Sequence, residues 1–523
     1  MLPLDRRTFL RLSTGAGATA FTASAGSVPA LAHPAAPSAG DAAADDPVPP
    51  PARQFRAMWL SSVENIDWPS APGLSVAQQK EEYLTWLDLA EELGLNAVIA
   101  QVRPTADAFW PSSFEPWSTY LTGTQGEDPG YDPLAFQIEA AHERNLEYHA
   151  WFNPYRVAMT EEPDLVEDHP ARVHPDWVWP FGGKLYYDPG LPEVRAFVQD
   201  AMMDAVSRYD VDGAHFDDYF YPYPVEGQTI PDEDTFAAHS DGTESIEDWR
   251  RGNIDLLVSE MHERIRAEKP WVRFGISPFG IWRNATSDPE GSDTSGSESY
   301  EIISADSLRW VHEGWVDYIN PQIYWEIGHP AADYETLARW WADKVEGTGV
   351  ALYIGEAAYK AIDGTFPEAT ELGDHLDLTQ TLAPIDGNVY FSAASLRDDA
   401  VGAVDDLVER HYTHPAIVPV IEGIPGEAPE APTVLAARNV EDGVEVRWRG
   451  RAATSYALWR LPSATAGADE LADGRNLVAT VRAGRTSQAL VHEGADGSGY
   501  YVVTAYDRTW RQSDPSEAVQ VRG

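Results

Sequence analysis

From Phe55 to Ala393, short runs rich in β-branched and aromatic residues alternate with longer amphipathic stretches, and the alternation repeats eight times. Successive strand-then-helix units build a parallel sheet, and eight such units are what close it into a barrel. The strand-like runs are Phe55–Val63, Asn96–Arg103, Glu147–Tyr155, Gly213–Phe220, Arg273–Phe279, Asp317–Tyr324, Ala351–Glu356 and Asn388–Ala393. The intervening pattern predicts helices at Val76–Leu93, Pro133–Arg144, Pro192–Tyr209, Ser245–Glu268, Glu301–Glu313, Tyr334–Glu346 and Leu396–His411, with a further one within Pro367–Leu382. Gly94, Asn145, Gly314 and Gly347 stand where a left-handed helix stop belongs. The expected fold is α/β, a (β/α)8 TIM barrel over residues 54–420.

The flanks differ in composition. Asp5-Arg-Arg-Thr-Phe-Leu-Arg11, a mildly apolar stretch and Ala30-Leu-Ala32 together look like a twin-arginine leader over residues 1–32. The Ala-, Pro- and Asp-rich residues 33–53 predict a disordered spacer. Residues 421–431 read as a linker. Residues 432–523 carry alternating strands such as Val444–Trp448, Tyr456–Trp459 and Tyr500–Tyr506. That tail resembles a fibronectin type III sandwich, with Trp448 buried on an early strand, and its expected job is spacing or adhesion.

Bulk numbers exclude several function classes. Lys plus Arg number 37 against 84 Asp plus Glu, a formal charge of -47, so the surface repels nucleic acid and anionic membranes. Only five lysines occur, at 80, 184, 269, 344 and 360. Without cysteine there are no disulfides, thiolate nucleophiles or thiolate metal sites. No apolar run outside the leader is long enough to span a bilayer. The expectation is an exported protein, periplasmic, cell-surface or extracellular, whose oligomeric state the sequence leaves open.

In a barrel of this kind the active site lies on the loops after the strands. The richest strand tip is Asp212-Gly-Ala-His-Phe-Asp-Asp-Tyr-Phe-Tyr-Pro222. Side chains alternate along a strand, so His215, Asp217 and Tyr219 share one face and Phe216 and Asp218 the other. A buried acid has to be paired, protonated or put to use, which makes Asp217 a candidate for chemistry, with loop capping as the plainer alternative. Other tips offer Asp67 after the first strand and Arg103 and Asp107 after the second. The third brings His149, Trp151, Asn153 and Arg156, the sixth Asn320, Gln322, Tyr324, Trp325 and Glu326, and the seventh Glu356 and Lys360. Runs that start apolar and finish in hydrogen-bonding and aromatic groups suit a sugar-binding mouth.

Seven segments, in order, carry a family resemblance: Phe55-Arg-Ala-Met-Trp-Leu60 with Asn65-Ile-Asp-Trp-Pro69, Gln101-Val-Arg-Pro104 with Asp107, Glu115-Pro-Trp-Ser118, His149-Ala-Trp-Phe-Asn-Pro-Tyr-Arg156, the Asp212–Pro222 segment, Gly275-Ile-Ser-Pro-Phe-Gly280 and Asn320-Pro-Gln-Ile-Tyr-Trp325. Through them the chain resembles the glycosyl-hydrolase-like family 10 proteins, a barrel family distinct from the similarly numbered xylanases. The resemblance implies a glycoside hydrolase acting on β-linked glycan, with bacterial members linked to peptidoglycan sugar strands.

Hydrolysing a glycosidic bond needs one carboxylic acid to protonate the leaving oxygen and a second carboxylate to attack carbon or activate water. Asp217 is the expected nucleophile or base. Glu326 is the first choice for the acid, with Asp67, Asp218 and Glu356 in reserve. Arg103, His149, Asn153, Arg156, His215, Tyr219, Gln322, Tyr324 and Trp325 are the expected sugar contacts, with Trp59, Trp68, Trp151 and Tyr221 as further stacking candidates. Arg103 and Arg156 alternatively neutralise buried acids. Chitinase-like barrels carry Asp-Gly-x-Asp-x-Asp-x-Glu on the fourth strand. Tyr219 here replaces the last Glu and His215 the first inward Asp, so a copied chitinase mechanism is not expected. No cofactor is expected. Two competing classes are a metal-dependent hydrolase with His149, His215, Asp217 and Asp218 around an ion and a non-catalytic glycan-binding protein.

Overall fold

The strands that close this fold are shielded on both sides, which is why the sequence shows continuous apolar runs. The computed structural model describes residues 50–484 and 487–521; the expected leader and residues 33–49 of the spacer lie outside the described residues. Within the described residues, a closed parallel barrel comprises β1 (Phe55–Leu60), β2 (Ala97–Arg103), β3 (Glu147–Phe152), β4 (Gly213–Phe216), β5 (Arg273–Ile276), β6 (Tyr318–Ile319), β7 (Ala351–Glu356) and β8 (Ile385–Tyr390). Apart from the first two residues of β8, every barrel-strand residue is buried.

Around the barrel lie α1 (Val76–Glu92), α2 (Pro133–Glu143), α3 (Pro192–Arg208), α4 (Ile246–Glu268), α5 (Ser307–His312), α6 (Tyr334–Val345), α7 (Glu371–Thr379) and α8 (Ala403–His411). Several of their starts are capped by side chains: Ser75 accepts from Gln78 N, Asp132 from Ala135 N and Asp333 from Thr336 N. Their stops fall at the expected residues, with φ of 67° at Gly94, 58° at Asn145, 64° at Gly314 and 77° at Gly347. The expected fifth helix is broken into Ser299–Ile302 and α5, where Ser304 takes φ 57°. The expected eighth is likewise divided into Ala393–Arg397 and α8.

Most strands end several residues before the apolar-to-polar runs do. The fourth run was expected to continue to Phe220 but leaves the ladder after Phe216, and the sixth forms a regular ladder at Tyr318–Ile319 alone, with Gln322 bridging separately to Phe279 and Gly355. The polar tips are thus loop, free to turn side chains into the mouth. Between β3 and α3 the chain adds a three-stranded antiparallel sheet of Arg156–Ala158, Val178–Phe181 and Lys184–Tyr187, which the sequence reading did not foresee.

Residues 433–520 form two antiparallel sheets. The smaller holds β9 (Thr433–Val440), β10 (Gly443–Arg449) and β13 (Ser487–Glu493). The larger runs in the order β12 (Leu477–Arg482), β11 (Ser455–Leu461), β14 (Tyr500–Tyr506) and β15 (Val519–Gln520). Between them Val446, Trp448, Tyr456, Leu458 and Val503 make one core, as Trp448 was expected to do. The other face of the larger sheet is not solvated. Ala457, Trp459, Val502 and Tyr506 pack with Ile417, Val418, Ile421 and Ile424 and continue into the barrel residues Phe55, Ala97 and Tyr353. The module is therefore docked on the barrel rather than held off it as a spacer, and the first residues of the expected linker, Ile421 and Ile424, are core.

Candidate functional site

Asp217 and Asp218 follow directly on β4 and are both buried, 3% and 4% exposed. Their surroundings differ. Asn153 Nδ2 donates to both oxygens of Asp217 at 3.1 Å, Trp151 Nε1 donates to Oδ2 at 3.0 Å, and the Tyr219 N–H donates to Oδ1 at 3.2 Å. Burial pushes this carboxyl up from its ordinary value, while the nearby Arg156 charge and these donors hold it down. Asp218 accepts from the Tyr223 hydroxyl and from the Gln322 side chain. Burial, and then the negative charge of Asp217, push Asp218 up to about 6.

The tip of β3 positions Asp217 through a second layer. Asn153 Oδ1 accepts from Arg156 N at 2.9 Å, which fixes the amide so that its nitrogen faces the aspartate. The Asn153 carbonyl accepts from Arg103 Nη1, and the same guanidinium is paired with Glu115, Nε to Oε2 at 2.7 Å and Nη2 to Oε1 at 2.5 Å. Arg103 is therefore a buried scaffold for the loop and not a sugar contact, because its donors are already engaged. Arg156 donates from Nε and Nη2 to Pro104 O at 3.2 and 3.0 Å and lies 4.9 Å from the Tyr219 ring centre.

Half-exposed aromatic and amide groups surround the pair. Tyr219 meets Tyr223 edge-on at 5.4 Å, and Tyr223 stacks on Phe279 at 5.3 Å. Gln322 is braced by donating to Ser277 O at 2.8 Å. Tyr324 is pushed well up, first by burial and Tyr359 and then by Asp218, so its phenol belongs to the same cluster. Trp325 stands against Gly280, where an added Cβ would lie 3.1 Å from its ring. Glu326, on the same loop, faces Lys360, whose amine burial lowers and Glu326 holds up. Ile327 N fastens this loop by donating to Glu371 Oε1 at 2.7 Å.

Other expected site residues are placed elsewhere. Asp67 accepts from Ser61 N at 2.8 Å, Ser392 Oγ at 2.8 Å and Ala394 N at 3.0 Å, tying the loop after β1 to the loop after β8. Glu356 turns outward from β7, accepting from Tyr334 Oη at 2.6 Å and Asn388 Nδ2 at 2.8 Å, with His375 Nδ1 2.9 Å away. His149 and His215 face inward, as alternation requires, but at depths below the mouth. Both Nδ1 atoms lie 2.9 Å from the Tyr318 hydroxyl, so neither imidazole joins the aspartates around an ion. Of the stacking candidates, Trp59, Trp68, Trp151 and Tyr221 are buried, while Trp325 is half-exposed. Among the described residues there is no group of three or more His, Asp and Glu side chains placed to hold a metal ion.

A family model described as glycosyl hydrolase-like 10 matches residues 54–368, the barrel through most of its length. The chain belongs to the glycosyl hydrolase-like 10 family. It is an enzyme of the glycoside hydrolase class. It is 44% identical over 481 residues to the glycosyl hydrolase YngK of Bacillus subtilis, covering 89% of this chain and 93% of that one. It is 40% identical over 365 residues to the glycosyl hydrolase DigH of Escherichia coli K12, covering 64% of this chain and 82% of that one. The YngK match is longer than the barrel, so it takes in part of the C-terminal sheets. Within this family member Tyr223 is a site residue that the sequence did not single out, because it lies beyond the strand, past Pro222. Trp151, a stacking candidate in the sequence, is buried, and the direction of its indole N–H shows that it serves Asp217 instead.

Proposed function

We propose that this glycoside hydrolase cleaves O-glycosidic bonds of a polysaccharide with Asp217 as the negatively charged partner and Asp218 as the proton carrier. One observation supports the reading most: two neighbouring buried carboxyls whose surroundings are unlike, one ringed by donors and faced by Arg156, the other pushed up to about 6 by burial and by its neighbour. Asp218 gives its proton to the leaving oxygen. Asp217 either attacks the anomeric carbon as the bond to the leaving oxygen breaks, giving a glycosyl ester that water then hydrolyses, or takes a proton from a water that attacks that carbon directly. Arg156, Tyr219, Gln322, Tyr324 and Trp325 hold the sugar. Glu326, half-buried on the facing loop, is the alternative acid.

The twin-arginine pattern favours an exported enzyme, and the family resemblance favours cell-wall glycan, with fibronectin type III-like sheets at the C-terminal end. The test is digestion of a polysaccharide panel, including peptide-free peptidoglycan strands and chitin, with new reducing ends identified by mass spectrometry. D217N abolishes cleavage in this reading. D218N retains turnover on aryl glycosides with good leaving groups while losing it on glycan. If E326Q shows that leaving-group dependence and D218N does not, the acid is Glu326. If D217N cleaves glycan as the parent does, the assignment fails.

A further inference from the structure

Along the barrel axis the interior is not purely apolar. Trp59 Nε1 lies 3.3 Å from His215 Nε2, and Ser277 Oγ 3.0 Å from the same nitrogen. His215 Nδ1 lies 2.9 Å from the Tyr318 hydroxyl, which is also 2.9 Å from His149 Nδ1. His149 Nε2 lies 3.0 Å from Glu147 Oε2. On the floor of the barrel Glu147 Oε1 is ion-paired with Arg273 Nη2 at 3.2 Å and accepts from Trp510 Nε1 at 2.6 Å. Trp510 belongs to the C-terminal module. The column thus runs from the layer beneath Asp217 to a residue outside the barrel.

The chemistry of its ends fixes the direction of every bond. An indole N–H only donates, so His215 Nε2 accepts from Trp59 and the proton of the neutral ring is on Nδ1. That N–H donates to the Tyr318 oxygen, the Tyr318 O–H donates to His149 Nδ1, and His149 Nε2–H donates to Glu147. The carboxylate at the far end is held by donors alone. The two imidazoles are therefore opposite tautomers, and one hydroxyl orders both. Glycines make the room: a Cβ on Gly213 would sit 2.5 Å from His149 Nδ1, and one on Gly275 2.1 Å from the Tyr318 ring.

The module is shaped to present Trp510. The residue adopts φ 63°, a left-handed conformation uncommon for a side chain of this size. Asp507 holds that turn, its Oδ1 accepting from Thr509 N and Arg511 N at 2.9 Å each. Arg53 donates to the Trp510 carbonyl at 3.1 Å and to Val418 O at 2.9 Å, clasping the loop to the barrel floor.

We infer that Trp510 is a positioning residue for the barrel site, acting through Glu147, His149 and Tyr318 to orient His215, the inward residue one step below Asp217 on the same strand, and with it Trp59 and Ser277, so that the C-terminal sheets complete the catalytic unit. Only the kinetic arm of its test rests on the proposed glycosidase reading. Full-length protein labelled with 15N-histidine, with H149Q and H215Q for assignment, gives the tautomers directly. The parent shows His215 protonated at Nδ1 and His149 at Nε2. W510F shifts both sets of resonances and lowers kcat by about tenfold with KM little changed. Y318F, which breaks the column without touching the module, lowers kcat in the same sense and keeps the inference testable if W510F does not fold. The inference is overturned if His215 carries its proton on Nε2, or if W510F lowers only the melting temperature while tautomers and kcat stay as in the parent. A parent that cleaves no glycan sinks the glycosidase reading, and the imidazole resonances still decide the column.

Discussion

Asp217 and Asp218 share a peptide bond but not an environment, and that contrast sets the pH behaviour. A general acid works only while protonated, so in the free enzyme kcat/KM declines as pH rises past about 6, the value to which burial and the Asp217 charge push Asp218. The acidic limb belongs to Asp217, whose carboxylate is favoured by Asn153. N153A removes two hydrogen bonds to the charged form, which raises the Asp217 pKa and moves that limb to higher pH. A pH–rate profile of N153A that overlays the parent's would refute the role of Asn153. D218N is expected to slow glycan cleavage by about 10²- to 10⁴-fold and to remove the basic limb. It also changes stability: the folded chain holds the Asp218 proton more tightly than the unfolded chain between about 4 and 6, so this group's contribution to stability declines as pH rises through that window. Urea melts across that range should show a shallower decline for D218N. The Asp212–Pro222 segment made this pair legible in the sequence. His149 and His215 were misplaced because alternation tells which side chains point inward but not how deep, and in a filled barrel the lower inward positions are core.

At the scale of elements, the alternation of apolar runs and helix stops was enough for the barrel, while strand ends were not. A polar tip keeps the alternating pattern after it has left the ladder, and the divergence at β4 and β6 is the site itself. The antiparallel sheet after β3 was missed although Gly182-Gly183, with φ of 59° and 83°, is a hairpin turn signal between Val178–Phe181 and Lys184–Tyr187. Its strands are only three or four residues long, too short for periodicity to register. Inside the barrel, small residues are matched to large neighbours. Gly275 faces the Tyr318 ring, and since that ring also orders the axial hydrogen bonds it has no room to shift. G275A should destabilise the fold by about 1–3 kcal/mol, the range for overpacking a tight core. The measurement is the denaturation midpoint, and a midpoint equal to the parent's would show that the barrel interior is looser than its distances indicate.

For the whole molecule, the tail's alternating strands were visible in the sequence but its docking was not, since a strand covered by a second domain and one covered by its partner sheet present the same residues. β14 shows the difference: Tyr501, Val503 and Ala505 fill the sandwich, and Val502 and Tyr506 on the opposite face join the barrel floor. Polar contacts fix the orientation. Arg508 donates to Asp210 at 2.8 Å and lies 4.8 Å from the Trp271 ring centre, and Ser455 donates to Asn145 at 2.5 Å. A sheet buried on both faces cannot lose its partner without exposing a large apolar surface, so barrel and sheets should unfold in one cooperative transition. Trp459, fully buried in the core shared with the barrel, is the residue to probe. W459A should cost about 3–5 kcal/mol and lower the melting of the barrel and of the C-terminal sheets together. R508A removes a partly exposed ion pair and should cost less than about 1 kcal/mol. Hydrogen exchange reports each region separately in the same sample. If W459A strips protection from β9–β15 while the amides of β1–β8 remain as slow as in the parent, the two folds are independent neighbours and the shared core contributes nothing to the barrel.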